Sequence, residues 1–200
     1  MSNMISYGHL DVSGKDVLEF GAGAGLPSLC AAMCGANSVT VSDYDSPALT
    51  DTLRHNVHSV LSPSMQHNVS VVPHIWGEDV EPLVRQGKGF DLVLLADTLW
   101  QGSSTHSILL KSLVGTLRRT KEARVYIVAG FHTGREAVRK FVSMAESEGF
   151  VRGGEWTEID IDGNEKRWGW NADDEKEQPE SERNKVVVHG SLKWGGPTVT

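Results

Sequence analysis

Three glycines at alternate positions are the first residues whose spacing suggests a chemical role. Gly21, Gly23 and Gly25 follow the largely apolar residues 16–20 and precede residues 27–34, which are predicted to be helical. In a doubly wound α/β sheet, the turn between the first strand and the first helix lies beneath a bound nucleotide. Glycine has no side chain, so the main chain can turn sharply and approach a ligand closely. This segment therefore predicts a nucleotide-type ligand site.

An acidic residue further along the chain supports this interpretation. Asp43 directly follows the predicted second strand, residues 38–42, and lies 20 residues beyond Gly23. An acid at about this distance accepts hydrogen bonds from the ribose hydroxyls of an adenosine ligand, and its charge strengthens those bonds. The alternative is that Asp43 only ends the strand or begins a turn.

The glycine spacing and Glu19 distinguish between adenosine ligands. A dinucleotide-binding turn has a glycine three residues after its second glycine, and Leu26 occupies that position here. Glu19 lies two residues before the first glycine, where a carboxylate opposes a pyrophosphate but suits a cation. These residues favour S-adenosylmethionine, which carries an ammonium and a sulfonium but no phosphate. Glu19 has the alternative role of a strand-edge acid that makes a local hydrogen bond.

Strand and helix signals alternate along the chain. Continuous apolar runs such as residues 91–96 are typical of central parallel strands. Residues 156–161 and 185–194 have strand patterns with no helical stripe between them, which predicts an antiparallel pair. We therefore predict a single α/β domain over residues 1–200, with a Rossmann-like, doubly wound, mostly parallel seven-stranded sheet and a C-terminal antiparallel hairpin. The other predicted elements are strands 16–20, 38–42, 69–75 and 124–129 and helices 27–34, 48–61, 107–118 and 135–148.

The charge and apolar content exclude several classes of function. The formal net charge is −7, which argues against binding of nucleic acid through a basic face. Residues 171–183 contain six acids and two bases, so we predict an acidic loop insertion at about residues 171–184. The first residues lack the basic start and apolar core of a secretory signal, so we expect none, and no apolar run is long enough to cross a bilayer. We expect a cytoplasmic monomer that binds no membrane.

The cysteines and histidines predict no metal site. Cys30 and Cys34 are four residues apart in a predicted helix and fit small buried residues better than a redox or metal pair. His55 and His58 lie three apart on another helix, and no further ligands cluster with them. His132 follows the predicted strand 124–129 at the ligand edge of the sheet, where it could contact an acceptor or fill a loop.

Four motifs together resemble a known family. They are DVLEFGAGAGLPSL at residues 16–29, SDYD at 42–45, HIWGED at 74–79 and FDLVLLADTLW at 90–100. They resemble the seven-β-strand methyltransferases, and in particular the fungal nicotinamide N-methyltransferase-like group within methyltransferase family 16. That group includes the enzyme that modifies the N-terminus and a nearby lysine of elongation factor 1-alpha. The resemblance covers roughly residues 11–194 and implies a seven-stranded sheet with one reversed edge strand.

The resemblance implies a set of donor-binding residues. The main chain of the glycine turn would contact the methionine part of S-adenosylmethionine, Asp43 would hold the ribose, and Trp76 would lie against the adenine. Trp76 has the alternative role of an ordinary core residue. With the acid considered above, the expected donor-binding set is Glu19, Gly21, Ala22, Gly23, Asp43, Trp76 and Ala96.

The resemblance also implies an acceptor site and a function. Asp97 would act as the catalytic residue beside the acceptor amine, and Trp100 would bind the substrate; alternatively, Asp97 caps the helix that follows its loop. The implied activity is methylation of a protein lysine or N-terminal amine, with elongation factor 1-alpha as a possible partner. A small-molecule N-methyltransferase and a donor-binding but inactive interaction module remain open. The last alternative arises because only about 15 residues precede residue 16, whereas family members have helices and a donor-contacting tryptophan there.

Overall fold

Six helices and nine strands make up the described part of the chain. The computed structural model describes residues 1–84, 87–170 and 183–196. The helices are α1 (Ser2–Ser6), α2 (Leu26–Met33), α3 (Pro47–Val60), α4 (Pro63–Gln66), α5 (Ser103–Thr116) and α6 (Arg135–Ser147). The strands are β1 (Asp16–Phe20), β2 (Ser38–Ser42), β3 (Val69–Val71), β4 (Leu92–Ala96), β5 (Arg124–Gly130), β6 (Phe150–Arg152), β7 (Thr157–Asp160), β8 (Glu165–Arg167) and β9 (Val186–Trp194). The predicted acidic loop lies almost wholly outside the described residues.

The strands form one mostly parallel sheet. Their order is β3-β2-β1-β4-β5-β9-β7-β8, and β6 pairs with the end of β9. Strands β1 to β5 run parallel, and β1 is paired on both sides, with Glu19 opposite Val41 of β2 and Leu94 of β4. The carboxyl ends of these strands therefore lie along the same edge of the sheet, which is where ligands bind in α/β folds.

Two hydrophobic clusters cover the two faces of the central strands. Val17 packs into a cluster with residues of α1, α2 and α3, whereas Leu18 and Phe20 pack into a cluster with residues of α5 and α6. Successive side chains of a strand point to opposite faces, so β1 is buried on both. This explains its continuous apolar sequence and confirms the predicted α/β class. Within the described residues, no helix is long and apolar enough to span a bilayer.

The C-terminal strands confirm the predicted hairpin but not its predicted place. β7 and β9 pair antiparallel, with Glu158 opposite Val188. The expectation of a single reversed strand at the edge is only partly right, because β9 is reversed but lies between β5 and β7, while the edge strand β8 is reversed as well. β9 has nine residues with alternate side chains buried, so it suits an interior position. The exposed residues of β8 occupy the edge of the sheet.

Some element boundaries also differ from the prediction. β3 ends at Val71, whereas the predicted strand continued to residue 75. α5 begins at Ser103, four residues before the predicted start. β6 and β8 have three residues each and expose most of their side chains, so they carry no apolar pattern from which they could have been predicted.

An ion cluster joins the strands at the opposite, amino-terminal edge. The Arg118 guanidinium donates to Asp16 Oδ2 at 2.9 Å and to Asp91 Oδ1. Burial acts to raise the pKa of Asp16, but hydrogen bonds from Asn37, Ser38 and Arg118 outweigh it and hold the pKa below its ordinary value. The cluster therefore links the starts of β1 and β4 to the segment after α5.

Arg118→Met should destabilise the fold at neutral pH. The change leaves two partly buried carboxylates without their shared cation, so we expect a loss of about 2 kcal/mol in the free energy of unfolding, measured with urea. Arg54→Met is the matched control, because Arg54 pairs with Asp51 on the exposed surface of α3. Its loss should stay below about 0.5 kcal/mol. Equal losses in the two variants would contradict a stabilising role for the cluster.

Candidate active site

The carboxyl-terminal edge of the sheet contains a cleft of about 370 Å³. This volume lies within the range of about 300–1,000 Å³ that ligand pockets commonly have. Its walls come from the turn after β1, the segments after β2, β3 and β4, and the first turns of α5. The lining residues are Gly21, Asp43, Tyr44, His74, Ile75, Trp76, Asp97, Thr98, Trp100, Gln101, Thr105 and Ile108.

The glycine turn has backbone conformations that suit glycine. Gly21, Gly23 and Gly25 have φ angles of 63°, 56° and 76°. A Cβ atom on Gly21 would lie 2.9 Å from Cγ2 of Thr98 and 3.3 Å from the Trp76 ring. The first glycine therefore keeps the cleft open between the turn and the segments after β3 and β4.

Asp43 connects the glycine turn to the end of β2. Its Oδ2 accepts a hydrogen bond of 2.6 Å from the Gly23 amide, and its Oδ1 accepts one of the same length from the Tyr44 amide. The carboxylate lies in the wall of the cleft. Asp43 thus lies beside the turn, as the spacing predicted, and its side chain holds the turn through the Gly23 amide.

Glu19 lies behind the turn and does not line the cleft. The residue is 1% exposed, and its Oε2 accepts hydrogen bonds from the amide and the hydroxyl of Ser28 in the first turn of α2. No described residue forms a hydrogen bond with Oε1. Burial raises the pKa of Glu19 to about 7, with a further contribution from the charge of Asp43, while the Ser28 hydrogen bonds act in the opposite direction. The local hydrogen bond considered from the sequence is therefore present.

Asp97 has an unusual backbone conformation and two hydrogen-bonded partners. Its φ of 58° is the only positive value at a non-glycine residue within the described ranges. Its Oδ1 accepts from the Gly130 amide at 3.1 Å, and its Oδ2 lies 3.2 Å from Nε2 of His132. The N-cap of α5 is Gly102, with no side-chain hydrogen bond, so Asp97 does not cap that helix. Strained non-glycine residues of this kind cluster at functional sites.

Trp100 lies between the cleft and a second cavity. Its side chain is half-exposed, and with Gln101 it lines both the cleft and a neighbouring cavity of about 230 Å³ between the start of α5 and α6. Ala22 follows Gly21 in the turn, and Ala96 is the last residue of β4, but neither lines the cleft. Trp76 is only partly buried and does line it, packed at the edge of the larger core cluster.

Several lining residues were missed from the sequence. Thr98 is buried, and its Oγ1 has no hydrogen-bond partner among the described residues. Thr105 lies ahead of the predicted start of α5 and Ile108 just after it, and both line the cleft. His74 donates to or accepts from the Ser112 hydroxyl at 2.9 Å, and burial lowers its pKa. The missed lining residues with a usable signal are those in the four motifs that carry the resemblance, namely Tyr44, His74, Ile75 and Thr98.

The charge of the cleft favours a cationic ligand. Asp43 and Asp97 contribute carboxylates, and none of the described lining residues is lysine or arginine. A pyrophosphate would have no side-chain cation to pair with, whereas an ammonium or a sulfonium would be attracted. Within the described residues, no group of three His, Cys, Asp or Glu side chains is arranged to hold a metal ion.

Comparison with solved structures defines the class of fold. A TehB-like SAM-dependent methyltransferase from Corynebacterium glutamicum superposes with a TM-score of 0.63 at 16% identity, covering 96% of this chain and 86% of that one. The glycopeptide N-methyltransferase MtfA, solved with sinefungin, superposes with a TM-score of 0.64 at 11% identity, covering 95% and 91%. At these identities the likeness shows the fold alone, which is that of the Rossmann-like methyltransferases.

Sequence comparison defines the family. Residues 2–148 match the lysine methyltransferase family, methyltransferase family 16, and the chain belongs to it. It is 34% identical over 157 residues to "Protein N-terminal and lysine N-methyltransferase efm7" of Schizosaccharomyces pombe, covering 75% of this chain and 60% of the relative. The protein of the same name from Emericella nidulans is 33% identical over 154 residues, covering 70% and 58%. The chain thus spans about 60% of the length of these relatives.

Gly21→Ala should be more harmful than Gly23→Ala. A left-handed φ costs an alanine about 1 kcal/mol at either position. A Cβ at Gly21 also crowds Thr98 and Trp76, whereas nothing lies within 4 Å of one at Gly23. We expect urea denaturation to give a loss of about 1 kcal/mol for Gly23→Ala and of at least about 2 kcal/mol for Gly21→Ala. Equal losses would mean that the cleft wall accommodates the methyl group.

Glu19 should make the stability depend on pH. The folded protein retains the Glu19 proton up to a pH of about 7, whereas an ordinary glutamate loses it near 4.5. The folded state therefore binds more protons in this window, and its stability should fall as the pH rises through it. We expect the stability of Glu19→Gln relative to the wild type to increase between pH 4.5 and 7, measured by urea denaturation. The exposed Glu81→Gln control should show a flat difference, and a flat difference for Glu19→Gln would contradict the raised pKa.

Proposed function

We propose that this chain is an S-adenosylmethionine-dependent N-methyltransferase that acts on a protein lysine, an N-terminal amine, or both. The printed names of the relatives support the protein substrate. The resemblance of the sequence motifs adds elongation factor 1-alpha as the expected partner. The observation that carries the proposal is that Gly21, Asp43 and Trp76 share one cleft with Asp97 and Trp100. A donor site and an acceptor site would then be adjacent.

The residues of the cleft fit the donor. The space kept open by the missing Gly21 side chain and the Asp43 carboxylate suit an adenosine ligand, and the absence of lysine and arginine from the lining suits a cation without phosphate. We propose that the main chain at Gly21, Ala22 and Gly23 contacts the methionine part and that Asp43 accepts from the ribose. Trp76 would contact the adenine ring. The resemblance also assigns Ala96 to the pocket, but Ala96 does not itself line the cleft.

Glu19 would act on the donor from behind the turn. The residue holds the start of α2 through Ser28, and Oε1 of its carboxylate has no partner among the described residues. A cation bound in front of the turn would favour the ionised carboxylate and be stabilised by it. This makes Glu19 a positioning residue whose charge selects the cationic donor over a dinucleotide.

The acceptor site would orient an amine toward the donor. When bound, the donor supplies an electrophilic methyl group on a cationic sulfur with a good, neutral leaving group, so orientation is the main requirement. Lysine amines have a pKa near 10.4 and arrive protonated. Asp97 would orient the ammonium, and the half-exposed Trp100 would contact the methylated, cationic product through its ring. The second cavity beyond Trp100 gives room for the neighbouring part of a peptide.

The net charge supports a basic partner. At a formal charge of −7, the protein would attract a basic substrate at long range, and salt would weaken that attraction. We further propose that the protein is a monomer that acts in the cytoplasm, where a translation factor would meet it.

A transfer assay tests the substrate class. The purified chain is incubated with tritiated S-adenosylmethionine and a fungal lysate, and the products are separated by size. We expect label in a protein band, and less label as salt is added. Label only in small metabolites would favour the small-molecule alternative. Binding of the donor without any transfer would favour an inactive interaction module.

Asp43→Asn tests the donor site directly. The change keeps the shape of the side chain but removes the charge, so we expect the Kd for S-adenosylmethionine to rise about tenfold or more in calorimetry. Asp45→Asn is the matched control, because Asp45 is exposed two residues away and does not line the cleft. Its Kd should stay within about twofold of the wild type. Unchanged affinity in Asp43→Asn, with an unchanged melting temperature, would contradict the ribose assignment.

A further inference from the structure

Two side chains from the ends of different strands form a polar pair at the acceptor end of the cleft. Nε2 of His132, after β5, lies 3.2 Å from Oδ2 of Asp97, after β4. Each side chain is about half exposed, at 49% for His132 and 54% for Asp97. The other carboxylate oxygen of Asp97 accepts from the Gly130 amide. Asp97 is therefore held by two partners, and both residues remain open to solvent.

The local backbone is adapted to this contact. Asp97 has a positive φ, which an aspartate adopts only at a cost, and its amide donates to the Val128 carbonyl at 2.7 Å. A Cβ atom on Gly130 would lie 2.8 Å from Nε2 of His132 and 3.3 Å from Oδ1 of Asp97. The glycine thus leaves the space in which the two side chains meet.

The contact determines which nitrogen of His132 can accept a proton. An ionised carboxylate can only accept hydrogen bonds, so the nitrogen that faces Asp97 must be protonated. In the neutral ring this leaves the lone pair on Nδ1. Among the described residues, Nδ1 of His132 has no hydrogen-bond partner. A histidine oriented in this way by a carboxylate is the arrangement that enzymes use for a general base.

The position of the pair suits an incoming amine. Asp97 lines the main cleft, and Thr133, the residue after His132, lines the second cavity. His132 itself lines neither cavity; its imidazole contacts Asp97 in the wall of the main cleft, and the residue precedes Thr133 in the wall of the second cavity. Asp97 is the charged residue in contact with the imidazole. Two further charged groups lie near this loop: the Arg183 guanidinium beside Gly134, and Glu136 at the start of α6.

We propose that His132 and Asp97 form a catalytic dyad in which Nδ1 of His132 accepts the proton that the acceptor ammonium must lose before methylation. This inference rests on the proposed function. The N–H bond of the ammonium breaks and a bond from Nδ1 to that proton forms, which frees the amine lone pair. The lone pair then forms the new N–C bond as the donor's S–C bond breaks, and the sulfur leaves as a neutral thioether. The imidazolium returns its proton to solvent, so one proton is released per methyl group transferred.

The tautomer of His132 provides a test that does not depend on activity. Nitrogen-15 NMR of the ligand-free protein at about pH 8 should show His132 with its proton on Nε2. Asp97→Ala should weaken that preference toward a mixture of tautomers, because it removes the acceptor. A dominant proton on Nδ1 in the wild type would overturn the proposal, since that nitrogen could not then accept another.

His132→Gln separates positioning from proton transfer. The glutamine amide can still donate to Asp97, but it cannot take up a proton. We expect kcat to fall about 100-fold or more, while KM and the donor Kd change little. The wild-type kcat should decline as acid protonates the general base, and this decline should be absent from the variant. In His132→Ala, added imidazole should restore part of kcat.

Two further variants complete the test. His67→Gln, on the exposed surface at the end of α4, is the matched control and should behave as the wild type. Gly130→Ala keeps both members of the dyad but separates them, and it should lower kcat as His132→Gln does. If His132→Gln retains the kcat of the wild type and the same decline of kcat at acidic pH, the dyad is overturned. The proposed function is then unaffected. If the wild type binds the donor but transfers no methyl group to any acceptor, both are overturned.

Discussion

The parallel pairing of β1 on both sides is the constraint on which the rest of the structure depends. Because β1 is hydrogen-bonded to β2 and β4 and buried on both faces, its carboxyl end opens at the centre of the sheet edge. The glycine turn, Asp43 and Asp97 follow three adjacent parallel strands and therefore meet there. Without this pairing, the glycine turn, Asp43 and Asp97 would no longer lie side by side at one edge of the sheet.

The two edges of the sheet are built on opposite electrostatic principles. At the amino-terminal edge, Arg118 neutralises the carboxylates of Asp16 and Asp91, so charge there supports the fold. At the carboxyl-terminal edge, Glu19 is buried with Ser28 as its hydrogen-bond partner among the described residues, and Asp97 adopts a strained backbone. A structure selected for stability alone would avoid both features, and their concentration at one edge is what active sites commonly show.

Much of the fold was predictable, and the failures have physical causes. The central strands and the β7–β9 pair were found because apolar runs report burial directly. β6 and β8 were missed because they are short and mostly exposed, so their sequences carry no apolar pattern. Backbone hydrogen bonds to neighbouring strands define them instead. The interior position of β9 was missed because local pattern reports that a strand is buried, but not which strands flank it. The proximity of Gly21 and Asp43 could be predicted from their spacing, since a single turn and the next strand bring them to one cleft.

The sequence by itself determined the α/β class, the glycine turn and the acid 20 residues beyond it, because these follow from local burial patterns and backbone conformation. Only the tertiary structure decided that Gly21 faces Trp76 and Thr98, that Glu19 binds Ser28 from behind the turn, and that Asp97 meets His132. Most of these contacts join residues far apart in the chain. They depend on strand order and loop direction, which the packing of the whole sheet sets and which no single segment encodes.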